Sequence, residues 1–190
     1  MRKPYLLIVT GRPGSGKSTF AKALGKRIHM PVVSRDELKE GYIHTQGAGH
    51  SELPPNTNKI VTDVFFNMLE MLVSSGVSVI AEAAFQHGMW TAGLEGFIEQ
   101  AELRLLICGV NGETARERCL RRAKEDRLRR YFHGSSGASD ETIPPYNAPA
   151  LPVPTLHVDT SNGYAPKMDE IVNILFERDG CFPAGAPQNL

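Results

Sequence analysis

Nothing in the 190-residue chain is apolar for long enough to cross a bilayer. The apolar run nearest the N-terminus, Tyr5–Val9, follows a basic Met1-Arg2-Lys3 start. It is too short for the core of a secretory leader and reads as a first buried strand. Net charge is also lacking, because 21 lysines plus arginines balance 21 aspartates plus glutamates. Composition therefore supplies no surface for coating nucleic acid and leaves only a local basic patch to weigh. Cysteine is scarce: Cys108, Cys119 and Cys181 are odd in number, far apart, and form no C-x-x-C pair. That excludes a disulfide framework and a paired-cysteine zinc or redox site, and it fits a reducing, cytoplasmic setting. Cys108 lies inside an apolar run and reads as core. No internal repeat is evident.

What is present suits a soluble α/β unit. The apolar fraction is 41% and the charged fraction 22%, both ordinary for a globular chain. Short apolar runs alternate with helical spacing: strands at 5–10, 31–34, 77–81, 103–110 and 155–159, and helices at 17–29, from 36, 59–74, 90–100, 113–130 and 166–178. Gly76 closes the third helix and Asn111 caps the fifth. This repetition predicts a parallel sheet covered on both faces. The segment 45–58, rich in Gly, Pro, His and Asn, reads as a mobile loop. One domain is expected over 1–179, with an acceptor-side insertion at 37–58, a lid at 115–150, and a flexible tail at 180–190.

The most specific signal is Gly11-Arg12-Pro13-Gly14-Ser15-Gly16-Lys17-Ser18, which fits G-x-x-x-x-G-K-[ST] in full. A strand precedes it and a helix follows, as the motif requires. Its glycines let successive N–H groups turn toward phosphate oxygens, and the helix N-terminus adds its positive dipole end. Gly11, Pro13, Gly14, Ser15, Gly16, Lys17, Ser18 and Thr19 are therefore assigned to a nucleoside triphosphate. Lys17 neutralises the β- and γ-phosphates and the Ser18 hydroxyl is a ligand for Mg²⁺.

Two carboxylates follow strands. Asp36 stands after the second strand, where the carboxyl edge of a parallel sheet faces a ligand crevice. It can take the proton of an acceptor hydroxyl, or it can simply cap the next helix. Glu82 follows the third strand at a position suited to the Mg²⁺ shell, with a capping or solvated glutamate as the alternative. The stretch 116–130 carries Arg116, Arg118, Arg121, Arg122, Lys124, Arg127, Arg129 and Arg130. Transfer of a phosphoryl group needs cations, and a closing lid of arginines would supply them. Arg122 and Arg127 are the expected contacts, against a solvated helix of acid–base pairs as the alternative. His44 and His50 read as solvated loop histidines, with metal ligation as the other reading. Phe85, His87 and Trp90 are candidates for an acceptor pocket, although Phe85 and Trp90 suit a core equally well.

Taken in order, GRPGSGKST, SRDELKEGY, VIAEAAF, the arginine-rich stretch and VDTS resemble small P-loop kinases. The chain looks similar to chloramphenicol phosphotransferase-like and zeta-toxin-like proteins and to their AAA-family ATPase relatives, over roughly residues 5–165. That resemblance implies a P-loop NTPase fold with five parallel strands in the order 2-3-1-4-5. It implies ATP-dependent phosphorylation of a small-molecule hydroxyl, with Asp36 as base. It also implies that the adenine lies between the lid arginines, Arg118 and Arg122, and the loop carrying Thr160 and Asn162. Glu82-Ala83 departs from the paired aspartates usual at the metal position. A second resemblance, carried by GRPGSGKSTFA and SRDELK, is to the kinase domain of bacteriophage polynucleotide 5′-hydroxyl kinase. It implies that Arg35, Asp36 and Lys39 face the acceptor, with Lys39 on a polynucleotide phosphate. The expectation is thus a kinase using ATP and Mg²⁺ on a small-molecule hydroxyl, with Arg35, Asp36, Lys39 and Phe85 at the acceptor. A polynucleotide end-kinase and a regulatory ATPase without acceptor are the alternatives.

Overall fold

A computed structural model of the chain describes residues 2–126, 128–134 and 146–176. Five parallel strands form one sheet in the order β2-β3-β1-β4-β5. Strand β1 (Tyr5–Thr10) lies at the centre, between β3 (Val79–Glu82) and β4 (Glu102–Gly109). Strands β2 (Val32–Ser34) and β5 (Thr155–Asp159) form the two edges. In β1 only Tyr5 keeps partial exposure, because both faces of the sheet are covered.

The pleat divides β1 between two cores. Leu6 and Ile8 pack with Phe65, Leu69 and Trp90, which come from α3 (Thr57–Ser74) and α4 (His87–Leu94). Leu7 and Val9 pack with Phe20, Leu24, Ile171 and Leu175, from α1 (Lys17–Ile28) and α7 (Met168–Phe176). Cys108 is buried in this second cluster as a free thiol, and burial pushes its pKa up to about 12. Trp90 is fully buried and belongs to the core.

Several boundaries differ from the sequence reading. The segment 45–58 keeps a loop at its centre but is helical at both ends. Helix α2 (Arg35–Gln46) runs through its start, a 3₁₀ turn occupies His50–Glu52, and α3 begins at Thr57. Gly47, at φ 65°, stops α2, and the Glu52 carboxylate accepts the Gly49 N–H at 3.1 Å. The expected helix at 90–100 starts earlier and ends in a 3₁₀ turn at Glu95–Phe97, in a segment where Gly93 and Gly96 weaken the helix. The basic helix divides into α5 (Gly112–Glu125) and α6 (Arg129–His133). Asp126 is extended, and its carboxylate accepts the Leu128 N–H at 2.9 Å, a local bond that competes with helix continuation. Arg129 therefore does not share a helix with Arg118 and Arg122. Arg127, much of the expected lid, and the expected tail lie outside the described residues.

Register decides what meets at the carboxyl edge of the sheet. Glu82 is the last residue of β3; it pairs with Val9 on one side and Ser34 on the other. The end of β2, the end of β3 and the loop after β1 thus share one level. That is the crevice where parallel sheets place ligands.

Candidate active site

The loop after β1 is held in a shape that side chains would obstruct. Gly11, Gly14 and Gly16 have φ values of 153°, 83° and 78°. A Cβ at Gly11 would lie 2.5 Å from the Cys108 carbonyl oxygen and 2.6 Å from Ser15 Oγ. A Cβ at Gly14 would overlap the backbone of Ala115 on α5. The close approach of loop to α5 thus depends on glycine. Helix α1 begins directly after Gly16 with no side chain capping its first amides. Ser15 Oγ and Arg12 Nε are both buried without a partner. Uncapped amides, a helix N-terminus and unmet donors together fit an anionic triphosphate.

Glu82 is the hub beneath this cradle. It is 1% exposed and accepts hydrogen bonds from Ser18 Oγ at 3.1 Å and from Ser34 Oγ at 2.7 Å. Lys17 Nζ lies 3.4 Å from its Oε1. A buried carboxylate and a serine hydroxyl side by side fit Mg²⁺, which commonly takes one or two protein oxygens together with substrate phosphates. Among the described residues no cluster of three or more His, Cys, Asp or Glu side chains is arranged to hold a metal. The metal-ligand reading of His44 and His50 thus has no support there. His44 instead packs at a tilt against Phe132, with ring centroids 5.0 Å apart.

Beside the cradle opens a crevice of about 340 Å³, lined by Gly14, Gly16, Thr19, Arg118, Arg122 and Tyr164 among others. Its size suits a nucleoside. Arg118 donates to the carbonyls of Thr160 at 2.7 Å and Ser161 at 3.1 Å. The Thr160 hydroxyl donates to the Ser15 carbonyl at 2.6 Å. The loop after β5 is therefore tied to both the cradle and α5. Asp159 accepts the Ser161 N–H at 2.7 Å, and hydrogen bonding from the Ser161 side chain, then from that N–H, holds its carboxyl below the usual range. Asn162 is exposed in the same loop. Arg122 lines the crevice, with one guanidinium nitrogen 3.5 Å from Cys119 Sγ.

The other side of the cradle is built by α2. Ser34 precedes this helix but turns its hydroxyl to Glu82 and leaves the first turn uncapped. Asp36 sits inside that first turn, so the helix-cap alternative for Asp36 does not hold. Its carboxylate is 46% exposed and lies 3.6 Å from Arg35. Arg35 also donates to Asn58 Oδ1 at 2.9 Å. Lys39, one turn further on, is buried. Phe85 stacks on Phe66 with centroids 5.8 Å apart and meets Trp90 edge-on at 5.1 Å. It joins the aromatic core, with part of its surface left open.

Three participants were not singled out from the sequence. Ser34 fixes Glu82, and its only signal was its place at the end of β2. Tyr164 lines the nucleoside-sized crevice and packs edge-on against Phe20 at 5.1 Å. Tyr146 comes from 136 positions along the chain to share a 2.5 Å hydrogen bond with Thr10. Its hydroxyl also donates to the Phe85 carbonyl at 3.0 Å. No local pattern announces either tyrosine.

No curated protein matches the chain in sequence. Among solved structures it is similar to a "putative kinase" from Chloroflexus aurantiacus, at 26% identity and a TM-score of 0.76, over 93% of this chain and 98% of that one. It is also similar to the APS kinase CysC of Mycobacterium tuberculosis, solved with AMPPNP and APS, at 15% identity and a TM-score of 0.65, over 93% and 99% of the two chains. A gluconokinase from Sinorhizobium meliloti shares 19% identity at a TM-score of 0.58, over 94% and 95%. The strand order and the glycine-rich loop are those of the P-loop NTPase fold. The AAA domain family profile matches residues 6–136, about two-thirds of the sequence, and the chain belongs to that family.

Proposed function

We propose that this chain is an ATP-dependent kinase that transfers the γ-phosphate to a hydroxyl of a small molecule. One observation carries the reading. Glu82 is hydrogen-bonded to Ser18 in the phosphate cradle and to Ser34 at the start of the acceptor-side helix. A single buried carboxylate thereby sets the cradle against Asp36. A nucleotide switch with no acceptor has no need of a half-exposed carboxylate on the facing helix. The kinases among the structural neighbours support the same class of reaction.

In this reading the main-chain amides from Gly14 to Thr19 hold the phosphates of ATP. The nucleoside occupies the crevice between Arg118, Arg122, Tyr164 and the loop carrying Thr160 and Asn162. Lys17 leaves Glu82 for the β- and γ-phosphates, where its charge offsets what develops during transfer. Ser18 and, through water, Glu82 would hold Mg²⁺, which supplies positive charge to the phosphate oxygens. Asp36 accepts the acceptor's hydroxyl proton as the new O–P bond forms. The bond between the γ-phosphorus and the bridging oxygen breaks, and its electron pair leaves with ADP. Arg122 and Arg127 are assigned to the transferring phosphoryl group.

Asp36→Asn tests the assignment. With a panel of hydroxyl compounds read by ADP release, kcat is expected to fall by about 10²–10⁴-fold. AMPPNP affinity, measured by calorimetry, is expected to stay within about twofold of the parent. Unchanged kcat, or loss of AMPPNP binding with turnover retained, would contradict the role. Slow hydrolysis that no hydroxyl compound accelerates would favour the regulatory ATPase instead. The second reading, a polynucleotide 5′-hydroxyl kinase, draws on the buried cation Lys39 beside Asp36. Transfer of label to an oligonucleotide 5′-hydroxyl in preference to every small compound would establish it.

A further inference from the structure

Residues 83–86 join β3 to α4 and have no regular structure of their own. They leave the sheet from Glu82, whose register partner Ser34 stands two positions before Asp36. Phe85, expected at the acceptor, belongs to this loop and keeps part of its surface open. A loop that borders a reacting hydroxyl has to hold its shape, because a displacement of about 1 Å can cost about 10²-fold in rate. With no ladder of its own, the loop takes that shape from its neighbours.

The neighbours are the end of β1 and a strap, residues 146–154, that runs into β5. Pro149, Pro152 and Pro154 carry no N–H, which keeps the strap from extending the sheet. Its other groups turn to the loop instead. The His87 N–H donates to the Asn147 carbonyl at 2.9 Å, the Asn147 N–H to Gln86 Oε1 at 2.7 Å, and the Ala150 N–H to His87 Nδ1 at 3.0 Å. Ala148, Leu151 and Val153 pack against the core cluster that contains Phe65 and Trp90, and Pro149 is buried. Within the loop, the Ala83 carbonyl accepts the Thr10 hydroxyl at 2.9 Å and the Phe85 carbonyl accepts the Tyr146 hydroxyl at 3.0 Å.

Those two hydroxyls also meet each other at 2.5 Å, and Trp90 Nε1 donates to Thr10 Oγ1 at 2.9 Å. Thr10 and Tyr146 thus have two protons for the Ala83 carbonyl, the Phe85 carbonyl and each other. Burial raises the Tyr146 phenol above its ordinary range, so its proton stays in place at neutral pH. Removing the Tyr146 hydroxyl leaves Thr10 with a donor, Trp90, and an acceptor, the Ala83 carbonyl. The Phe85 carbonyl loses its tyrosine donor. The consequence falls on the loop rather than on the core.

We propose that Tyr146 is a positioning residue for the transfer: its hydroxyl, lodged between Thr10 and the Phe85 carbonyl, fixes the loop after Glu82 as a wall of the acceptor site. The inference rests on the kinase reading and extends it to a residue that touches no reacting atom. A fixed wall excludes water and keeps the acceptor hydroxyl at Asp36. A loosened wall lets water compete for the γ-phosphate. In that side reaction a water oxygen forms the new O–P bond, ADP leaves with the electron pair of the broken one, and inorganic phosphate and a proton are released.

Tyr146→Phe keeps the ring in the core and removes only the hydroxyl. The full chain with Mg²⁺ and ATP is assayed for ADP release, alone and with the hydroxyl compound that stimulates the parent most. Stimulated release is expected to fall at least about fivefold, with basal hydrolysis unchanged or higher. AMPPNP stoichiometry and affinity in calorimetry are expected to stay within about twofold of the parent. Hydrogen exchange of the AMPPNP-loaded protein, read by mass spectrometry, follows the wall itself. Peptides covering 83–90 and 146–151 should lose protection together in Tyr146→Phe, while those covering α1 should not. Unchanged stimulated release, or unchanged protection of those peptides, overturns the inference and leaves the kinase reading intact. So does a proportional fall of stimulated and basal release, the mark of a purely structural role. Failure of every compound to stimulate ADP release by the parent removes the kinase reading, and the inference falls with it.

Discussion

Replacing Glu82 by glutamine removes one charge from the point where the cradle, the acceptor helix and the sheet meet. The carboxylate is 1% exposed and the Lys17 side chain 9%, so neither charge has much water to turn to. Taking one partner from a buried ion pair costs about 3–5 kcal/mol. The lower end applies here, because glutamine retains one oxygen for a serine hydroxyl and the cradle opens on the phosphate side. A loss of about 3 kcal/mol lowers Tm by roughly 6–12 °C for a chain of this size. Urea denaturation of the nucleotide-free protein measures it directly. Lys17→Met leaves Glu82 charged and costs a similar amount. The double variant Lys17→Met/Glu82→Gln removes both charges and should be less destabilised than the sum of the two single losses by at least about 1.5 kcal/mol. AMPPNP without Mg²⁺ should recover part of the Glu82→Gln deficit, since phosphate oxygens give Lys17 a new counter-charge. A Glu82→Gln protein within about 0.5 kcal/mol of the parent, or losses additive to that margin, would refute the hub.

Two further outcomes follow from the same geometry. Gly14→Ala places a methyl group against the Ala115 backbone at a positive φ. It should destabilise the fold by about 1–3 kcal/mol and abolish AMPPNP binding in calorimetry, whereas Gly41→Ala, with open space at its Cβ, should do neither. Cys108, whose thiol is pushed up to about 12, stays protonated and should resist iodoacetamide at pH 8.5 until urea unfolds the chain. Because its folded pKa is raised, its contribution to stability is complete below pH 9 and is lost as pH climbs toward 12, which alkaline unfolding curves of Cys108→Ala against the parent can check.

The cradle was legible because it is contiguous: eight neighbouring residues carry the whole signal, and strand, turn and helix follow in register. The strand order came from resemblance and agrees with the observed sheet. The segment 45–58 is loop only between its ends: α2 runs two residues into it until Gly47 stops the helix, a 3₁₀ turn interrupts it at His50–Glu52, and α3 begins at Thr57. The helix at 113–130 was read as continuous because charge carries no trace of the bond by which Asp126 ends it.

The sequence by itself determined the phosphate-binding loop, the alternation of strand and helix, and the presence of carboxylates at the carboxyl ends of the second and third strands. Those features depend on residues close together in the chain, where local sterics and periodicity act. Only the tertiary structure decided that Glu82 joins Ser18 to Ser34, that Tyr146 closes on Thr10, and that Lys39 is buried. Each of these depends on strand register and helix packing, which bring distant residues to one edge of the sheet. The worth of a charge there is set by what surrounds it rather than by its neighbours in sequence.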